Sequence, residues 1–355
     1  MITAPSRFVV PRELAATTPP EARGVGRDQV RLLVSDGGGV TNARFAALAS
    51  FLEPGDVLVV NTSATIPAAV DARRGDGRAT TVHFSTPLDN GRWLVELRAS
   101  GATSGRVRDA RRGELVRLPA GVQLKLLAPY PDLAASTGSR LWRASTDVEG
   151  GMLAYLHQHG RPITYGYVNG RWPLEDYQSV FSTDPGSAEM PSAGRPFTTE
   201  LVTRLVASGV VIVPLVLHAG VSSLEKGEAP LPERFSVPAA TAEHVSLARR
   251  SGRRVIAVGT TVVRALETVG QRDGSAAAGT GWTDLVLGPR RPARVVSGLI
   301  TGFHEPDASH LLLLEAMVGA DVLWQTYEAA LAERYLWHEF GDTCLLLSPN
   351  PTLGP

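Results

Sequence analysis

The alternation of apolar and polar positions changes texture twice along the chain. Near the start, DVLVVN at Asp56 to Asn61 reads as a strand, followed by the short motif SATIPA. From about 70 to 150 short strand-like runs dominate. VHFSTPLDNGRWLVELRAS reads as two strands joined at Asn90-Gly91, the strongest short hairpin signal, and GELVRL, VQLKLLA and RLWRAS follow between Gly, Pro and Ser. From about 151 onward, helices and strands alternate. FTTELVTRLVAS precedes VVIVPLVL, AATAEHVSLARRS precedes RRVIAVG, and further strands are expected near Asp284–Leu287 and Arg294–Ile300. ASHLLLLEAMVG, capped by Asp307, and ADVLWQTYEAALAERY are the last helices. GQRDGSAAAGTG at Gly270–Gly281 is the one low-complexity piece and is expected to be a mobile loop.

This pattern predicts the α/β class with an at least partly parallel sheet. The simplest architecture is a large α/β domain built from both chain ends, residues 1–68 and 151–355. A small all-β unit of closed or sandwich type, residues 69–150, is inserted in it. At 355 residues, two domains are the fair expectation.

Composition narrows the class. An apolar fraction of 43% and a charged fraction of 20% are those of an ordinary globular protein. The longest apolar runs, Val210–Leu217 and Leu311–Leu314, are too short to span a bilayer. MITAPSRFVVPREL has no basic segment followed by an apolar one, so no signal peptide is expected and a cytoplasmic location is. The single cysteine, Cys344, excludes an internal disulfide framework and a Cys-based zinc site; within TCLLL it reads as a buried, inert thiol. His157 and His159 have no third ligand near in sequence, so no metal is expected there. Thirty-five basic and thirty-five acidic residues cancel, but arginines cluster at Arg106, Arg108, Arg111 and Arg112, at Arg249–Arg254 and at Arg290–Arg294. Each cluster is either a phosphate patch or an ordinary solvated surface.

The most informative stretch is VIAVGTTVVRALE at Val255–Glu267: a buried strand, a turn at Gly259, then Thr260 and Thr261 opening a helix. Such a turn aims backbone N–H groups and hydroxyls past the carboxyl end of a strand, and Arg264 falls on the same helical face. The cluster suits a carboxylate or phosphate. The structural alternative has Thr260 as N-cap and Arg264 paired to Glu267 or to solvent.

Several segments, in order, resemble the S-adenosylmethionine:tRNA ribosyltransferase-isomerases of the queuosine pathway. They are PGDVLVVN with IPA, LEDYQSVF at Leu174–Phe181, PSAGRPFTTEL at Pro191–Leu201, VPLVLHAG, RRVIAVGTTVVRALE, GLITGFHEP at Gly298–Pro306 and ERYLWHEFGD at Glu333–Asp342. The resemblance implies an α/β domain with an inserted β-barrel. It also implies an enzyme that moves the ribosyl part of S-adenosylmethionine onto the aminomethyl group of a deazaguanine in tRNA and rearranges it, while adenine and methionine leave. S-adenosylmethionine is then a substrate and no separate cofactor or metal is required. The chain departs from the family pattern at Ala64 and Ala69, where arginines are typical. It departs again at Pro196, where a histidine is, at Ser222–Leu224, at Pro232–Arg234, and at Gly302 and Glu305. Two other readings stay open on these residues. One is a paralogue that binds S-adenosylmethionine or another adenosyl ligand but uses a different acceptor; the other is a non-catalytic binding protein on this scaffold.

His304, Thr261 and His218 are the expected catalytic residues: His304 follows a strand beside Pro306, and His218 ends VPLVLH. Asn61, Tyr177, Gln178, Ser192, Gly194, Gly259, Thr260, Arg264 and Asp342 are the expected substrate contacts. Tyr177 and Gln178 suit stacking and hydrogen bonding to a base, Gly194 permits close backbone approach, and Asp342 either meets a substrate amine or ribose or caps a turn. If tRNA is the acceptor, Arg106, Arg108, Arg111 and Arg112 are its candidate phosphate contacts.

Overall fold

The computed structural model describes residues 8–100, 105–131, 139–221, 230–306 and 310–348. The chain begins with β1 (Arg31–Ser35), β2 (Val40–Arg44), β3 (Val57–Asn61) and β4 (Ser63–Thr65). It then builds β5 (Ala69–Arg74), β6 (Ala79–Pro87), β7 (Trp93–Ala99), β8 (Leu115–Arg117), β9 (Gln123–Tyr130) and β10 (Leu141–Thr146), which close on themselves as an antiparallel barrel. The hairpin between β6 and β7 turns at Asn90 and Gly91, both with positive φ (84° and 71°), which these two residue types tolerate. Ile66, Val82, Phe84, Leu97, Leu124 and Trp142 are among the side chains that fill the barrel.

The chain leaves the barrel through α1 (Met152–His159), which carries His157 and His159, and β11 (Asp184–Ser187), which pairs with β4. There follow α2 (Thr199–Ala207), β12 (Val211–Leu217), β13 (Glu233–Val237), α3 (Ala239–Arg250), β14 (Val255–Val258), α4 (Thr260–Val269) and β15 (Gly279–Thr283). The last elements are β16 (Gly298–Gly302), α5 (His310–Val318), α6 (Ala320–Ala332) and β17 (Thr343–Leu347). One nine-stranded sheet runs β15-β13-β12-β3-β14-β16-β17-β1-β2, with β12, β3, β14 and β16 parallel at its centre. The architecture is therefore α/β from both chain ends with the barrel inserted.

The central strands are apolar at every position because both faces of the sheet are covered. Val57 and Val59 of β3 pack with Val255, Ala257 and Leu299 on one face, while Leu58 and Val60 pack with Ile256, Val258 and Ile300 on the other. Since successive residues point to opposite faces, the register Val57↔Val255 fixes which set meets which layer of helices. No helix among the described residues is long and apolar enough to cross a membrane. Cys344 is buried on β17, and burial pushes its thiol up to about 12, in keeping with an inert thiol.

Several local expectations are corrected. Gly259, at φ +98°, occupies the N-cap position of α4, so the alternative with Thr260 as N-cap does not hold. Gly270–Gly281 is no loose loop: Gln271 N–H donates to Ser275 O at 2.8 Å, Gly270 bridges Ala276, and the last residues enter β15. Asp284–Leu287 lies beyond the end of β15, and Leu285 O accepts from Arg264 instead of a neighbouring strand. The strand expected from Arg294 begins only at Gly298, because the N–H groups of Arg294, Val295 and Val296 all donate to the Glu267 carboxylate at 2.9–3.1 Å. That contact also overturns the Arg264–Glu267 pairing. Tyr177 ends a 3-10 turn, Leu174–Tyr177. Asp307 and Ser222–Leu224 lie outside the described residues.

Glu267 is 8% exposed and serves three backbone donors that have no other partner in the ladder. Glu267→Ala should cost about 3 kcal/mol or more, as buried donors left without a charged acceptor do. Urea unfolding measures it; a loss under about 1 kcal/mol would mean that solvent replaces the carboxylate.

Candidate active site

The carboxyl ends of β14 and β16, together with the turn after β12, open on a cavity of about 930 Å³. That is large enough for a ligand of several rings and chains. Its floor is the turn Gly259-Thr260-Thr261 at the N-terminus of α4, whose backbone N–H groups and dipole favour negative charge. A Cβ on Gly259 would stand 3.4 Å from Thr261 Oγ1 and 3.5 Å from Ala193 Cβ, so the turn is packed close against the wall as well as left-handed.

Arg264 lines the cavity but is engaged within the protein. It pairs with Glu233 and donates to Leu231 O, Thr283 O and Leu285 O at 3.1–3.2 Å, using four of its five N–H donors. It builds the wall.

Beyond β16, His304 and His310 stack with ring centroids 4.5 Å apart and planes 3° from parallel. His304 Nε2 lies 3.0 Å from Thr301 Oγ1, and the His304 backbone N–H donates to the Tyr327 hydroxyl at 3.2 Å. Burial, with repulsion from His310 and His338 added, holds His304 well below the usual histidine range. Burial first, then Arg264, brings His310 down to about 4. Both rings are therefore neutral near pH 7 and able to accept a proton. His338, lowered by burial, stacks on Tyr167 at 3.9 Å with Nε2 3.4 Å from Glu305 Oε1.

Tyr167 donates to Glu339 Oε2 at 2.5 Å, and Tyr165, stacked 6.0 Å from Tyr167, donates to Glu189. Burial pushes both Glu339 and Tyr167 upward, and the neighbouring Glu339 adds to the effect on Tyr167. Glu189, Glu233, Glu305 and Glu339 face the cavity against Arg12 and Arg264 among the described residues. This acid excess beside aromatic rings suits a ligand that carries positive charge.

Seven of the residues expected from the sequence line the cavity: Tyr177, Ser192, Gly259, Thr260, Thr261, Arg264 and His304. Five do not, and each has a structural partner instead. The Asn61 amide clamps β3 to β12, donating to Leu217 O at 2.8 Å and accepting from Leu217 N–H at 3.0 Å. Gln178 pairs with the backbone of Thr65, and Gly194 sits under Ser179. His218 turns away over Gly186, its Nδ1 2.8 Å from Ser63 Oγ, which in turn meets Ser187 Oγ at 2.7 Å. Asp342 is buried and accepts from the N–H groups of Arg31 and Leu336, both at 2.7 Å, which is the turn-capping alternative. Sequence reasoning missed Tyr165, Tyr167, Glu189, Glu233, Glu305, His310, His338 and Glu339. His338 and Glu339 stood inside ERYLWHEFGD, and Tyr165 and Tyr167 are separated by one residue, as two side chains on one face of an extended segment must be. Of the positions where the family pattern is lost, Ala64, Ala69 and Pro196 are absent from the cavity wall, whereas Glu233, Gly302 and Glu305 are part of it.

The His310 shift sets a pH dependence. In the unfolded chain this imidazole binds its proton near 6.5, in the folded protein near 4. Its contribution to stability is complete above pH 6.5 and lost as pH falls towards 4, by roughly 3 kcal/mol in all. His310→Gln should flatten the decline in unfolding free energy between those limits, read by urea unfolding at a series of pH values. An unchanged slope would place His310 in contact with solvent.

Comparison with known proteins bears on the family and the fold. Residues 4–346 match the model of the family described as queuosine biosynthesis protein. An S-adenosylmethionine:tRNA ribosyltransferase-isomerase of Thermus thermophilus is 35% identical over 341 residues, covering 90% of this chain and 93% of the relative. The enzyme of the same name from Symbiobacterium thermophilum is 33% identical over 349 residues, covering 96% and 98%. The crystal structure of S-adenosylmethionine tRNA ribosyltransferase from Thermotoga maritima superposes with a TM-score of 0.52 at 28% identity, covering 96% of this chain and 99% of that one. With an inserted barrel, a mixed sheet and a match over nearly its whole length, this chain belongs to the queuosine biosynthesis family.

Proposed function

We propose that the chain is an S-adenosylmethionine-dependent transferase and isomerase, which moves the ribosyl moiety of S-adenosylmethionine onto a deazaguanine of tRNA, and that the large cavity is where it does so. The carrying observation is that one cavity joins two stacked, neutral imidazoles to an excess of carboxylates. A diverged acceptor or a loss of catalysis has no comparable support: the departures at Ala64, Ala69 and Pro196 lie off the cavity wall, and those at Glu233, Gly302 and Glu305 leave it lined by carboxylates and imidazoles.

Each part of S-adenosylmethionine has a complement. The sulfonium and ammonium suit the carboxylates of Glu189, Glu305 and Glu339, and the methionine carboxylate suits the N–H groups and hydroxyls of Thr260 and Thr261. The faces of Tyr165, Tyr167 and Tyr177 suit planar bases. His304, neutral and held by Thr301, is placed to take a proton from the ribosyl part or from the acceptor amine. The carbon–sulfur bond breaks with its electron pair on sulfur, so methionine leaves as a neutral thioether, and adenine leaves with the glycosidic pair and recovers a proton; in exchange the acceptor nitrogen, losing a proton, bonds to a ribosyl carbon, and the ribosyl, losing another, closes one new ring bond as it rearranges. No metal and no separate cofactor enters this scheme.

Calorimetric titration with S-adenosylmethionine, with adenine and methionine as controls, tests the ligand. Adenine release on adding tRNA that bears the aminomethyl deazaguanine tests the reaction. His304→Gln should lower kcat for adenine release by about 10²- to 10⁴-fold, with the Kd for S-adenosylmethionine within several-fold of the parent. Failure of S-adenosylmethionine to bind the folded parent protein would overturn the reading. Equal losses in kcat and affinity would make His304 a binding group only.

A further inference from the structure

A second concavity, of about 760 Å³, opens between the barrel and the segment that follows α1. Arg73, Arg98 and Arg117 face it from the barrel, Arg161 and Arg171 from the other side. Asp71, paired with Arg161 at 2.7 Å, is the one acidic residue among the described residues that line it. With Arg161 paired to Asp71 and Arg98 3.7 Å from the buried Glu96, Arg73, Arg117 and Arg171 leave about +3 on this face of a chain whose formal net charge is zero. His83, in the floor, is held below the usual range by burial against the pull of Glu96 and adds no charge near pH 7.

The rest of the groove is small and hydroxylic, with Ala69, Ala72, Ala79, Thr80, Thr81 and Thr164. No Phe, Tyr or Trp is among the described lining residues, so the surface offers charge and hydroxyl contacts without a stacking platform. That is the chemistry of a sugar-phosphate backbone. The cavity on the other side has the opposite character, with Tyr165, Tyr167 and Tyr177.

One stretch of chain separates the two. Ile163, Tyr165 and Tyr167 face the cavity, Pro162 and Thr164 face the groove, and exposed Gly166 borders both. The stretch is fixed to the barrel by reciprocal backbone hydrogen bonds between Arg161 and Ala69, both 2.9 Å. The arginines singled out from the sequence do not build this surface. Arg106 leans on Glu96 at 3.5 Å, and Arg108, Arg111 and Arg112 are exposed elsewhere on the connection between β7 and β8.

We propose that this arginine groove holds the sugar-phosphate backbone of the RNA acceptor, so that one nucleotide crosses the wall at Gly166 and presents its base to the cavity. The assignment rests on the reading of the chain as a tRNA-modifying enzyme. Backbone contacts in the groove fix position while the cavity alone reads the base.

The test is the binding of a fluorescent, unmodified anticodon stem-loop RNA, in the absence of S-adenosylmethionine, between about 50 and 300 mM KCl. Arg73, Arg117 and Arg171 are exposed, and replacing all three by Gln gives the test variant. Its slope of log K against log salt should fall by about 2, at about 0.7 to 0.9 per lost phosphate contact, and its affinity near 100 mM salt by about 10- to 100-fold. Its melting temperature and its affinity for S-adenosylmethionine, measured separately, report whether it is folded with the cavity intact. An unchanged slope in the folded variant would overturn the groove while leaving the proposed function standing. Parent protein that binds RNA, with the loss in the variant, but fails to bind S-adenosylmethionine would overturn the proposed function and keep the groove. A poly-glutamate peptide that binds the parent as tightly as the RNA, with the same loss in the variant, would overturn RNA in favour of an acidic protein partner.

Discussion

The cavity depends on one buried charge, the guanidinium of Arg264. From the second turn of α4 it reaches Glu233 at the start of β13, and the carbonyls of Leu231, Thr283 and Leu285 from segments far apart in sequence. Removing a guanidinium from water costs several kcal/mol, and only a nearly complete set of acceptors offsets that. The acceptors must therefore stay where they are, and the wall they form is rigid. Glu267, three residues further along the same helix, does the same for the chain ahead of β16. A single helix thus shapes both flanks of the strand end at which the ligand site opens.

Against that rigid wall the titratable groups are arranged by burial more than by pairing. His304, His310 and His338 lose basicity because they are removed from water, and Glu339 and Tyr167 rise for the same reason. Desolvation moves bases down and acids up, so it weakens the charged form of each, while the hydrogen bond from Tyr167 opposes the rise of the Glu339 carboxyl. The groove across the Gly166 wall follows the opposite rule: Arg73, Arg117 and Arg171 stay exposed, in reach of a polyanion.

The β-barrel, the Val255–Glu267 turn and the alternation of helices and strands were legible because each is written in neighbouring residues. Turn chemistry at Asn90-Gly91, unbroken apolar runs in strands covered on both faces and helical spacing are all local signals. Misreadings came where a long-range partner took over the backbone. Arg294–Val296 looked like strand and donates to Glu267 instead; Leu285 looked like strand and serves Arg264.

The sequence by itself determined the fold class, the inserted barrel and the family, because those follow from local periodicity and from motifs whose order is preserved. It also placed Gly259–Thr261 and His304 at strand ends, where the large cavity opens. Tertiary structure alone decided which polar side chains face that site. Asn61, Gln178, His218 and Asp342 carry suitable groups at suitable positions, yet each meets an internal partner first. Tyr165, Tyr167, His310, His338 and Glu339 come from three separate stretches and converge only when the sheet, α5 and the chain after α6 are packed. A buried polar group must be satisfied, and the identity of its partner is set by packing across hundreds of residues, which no local pattern records.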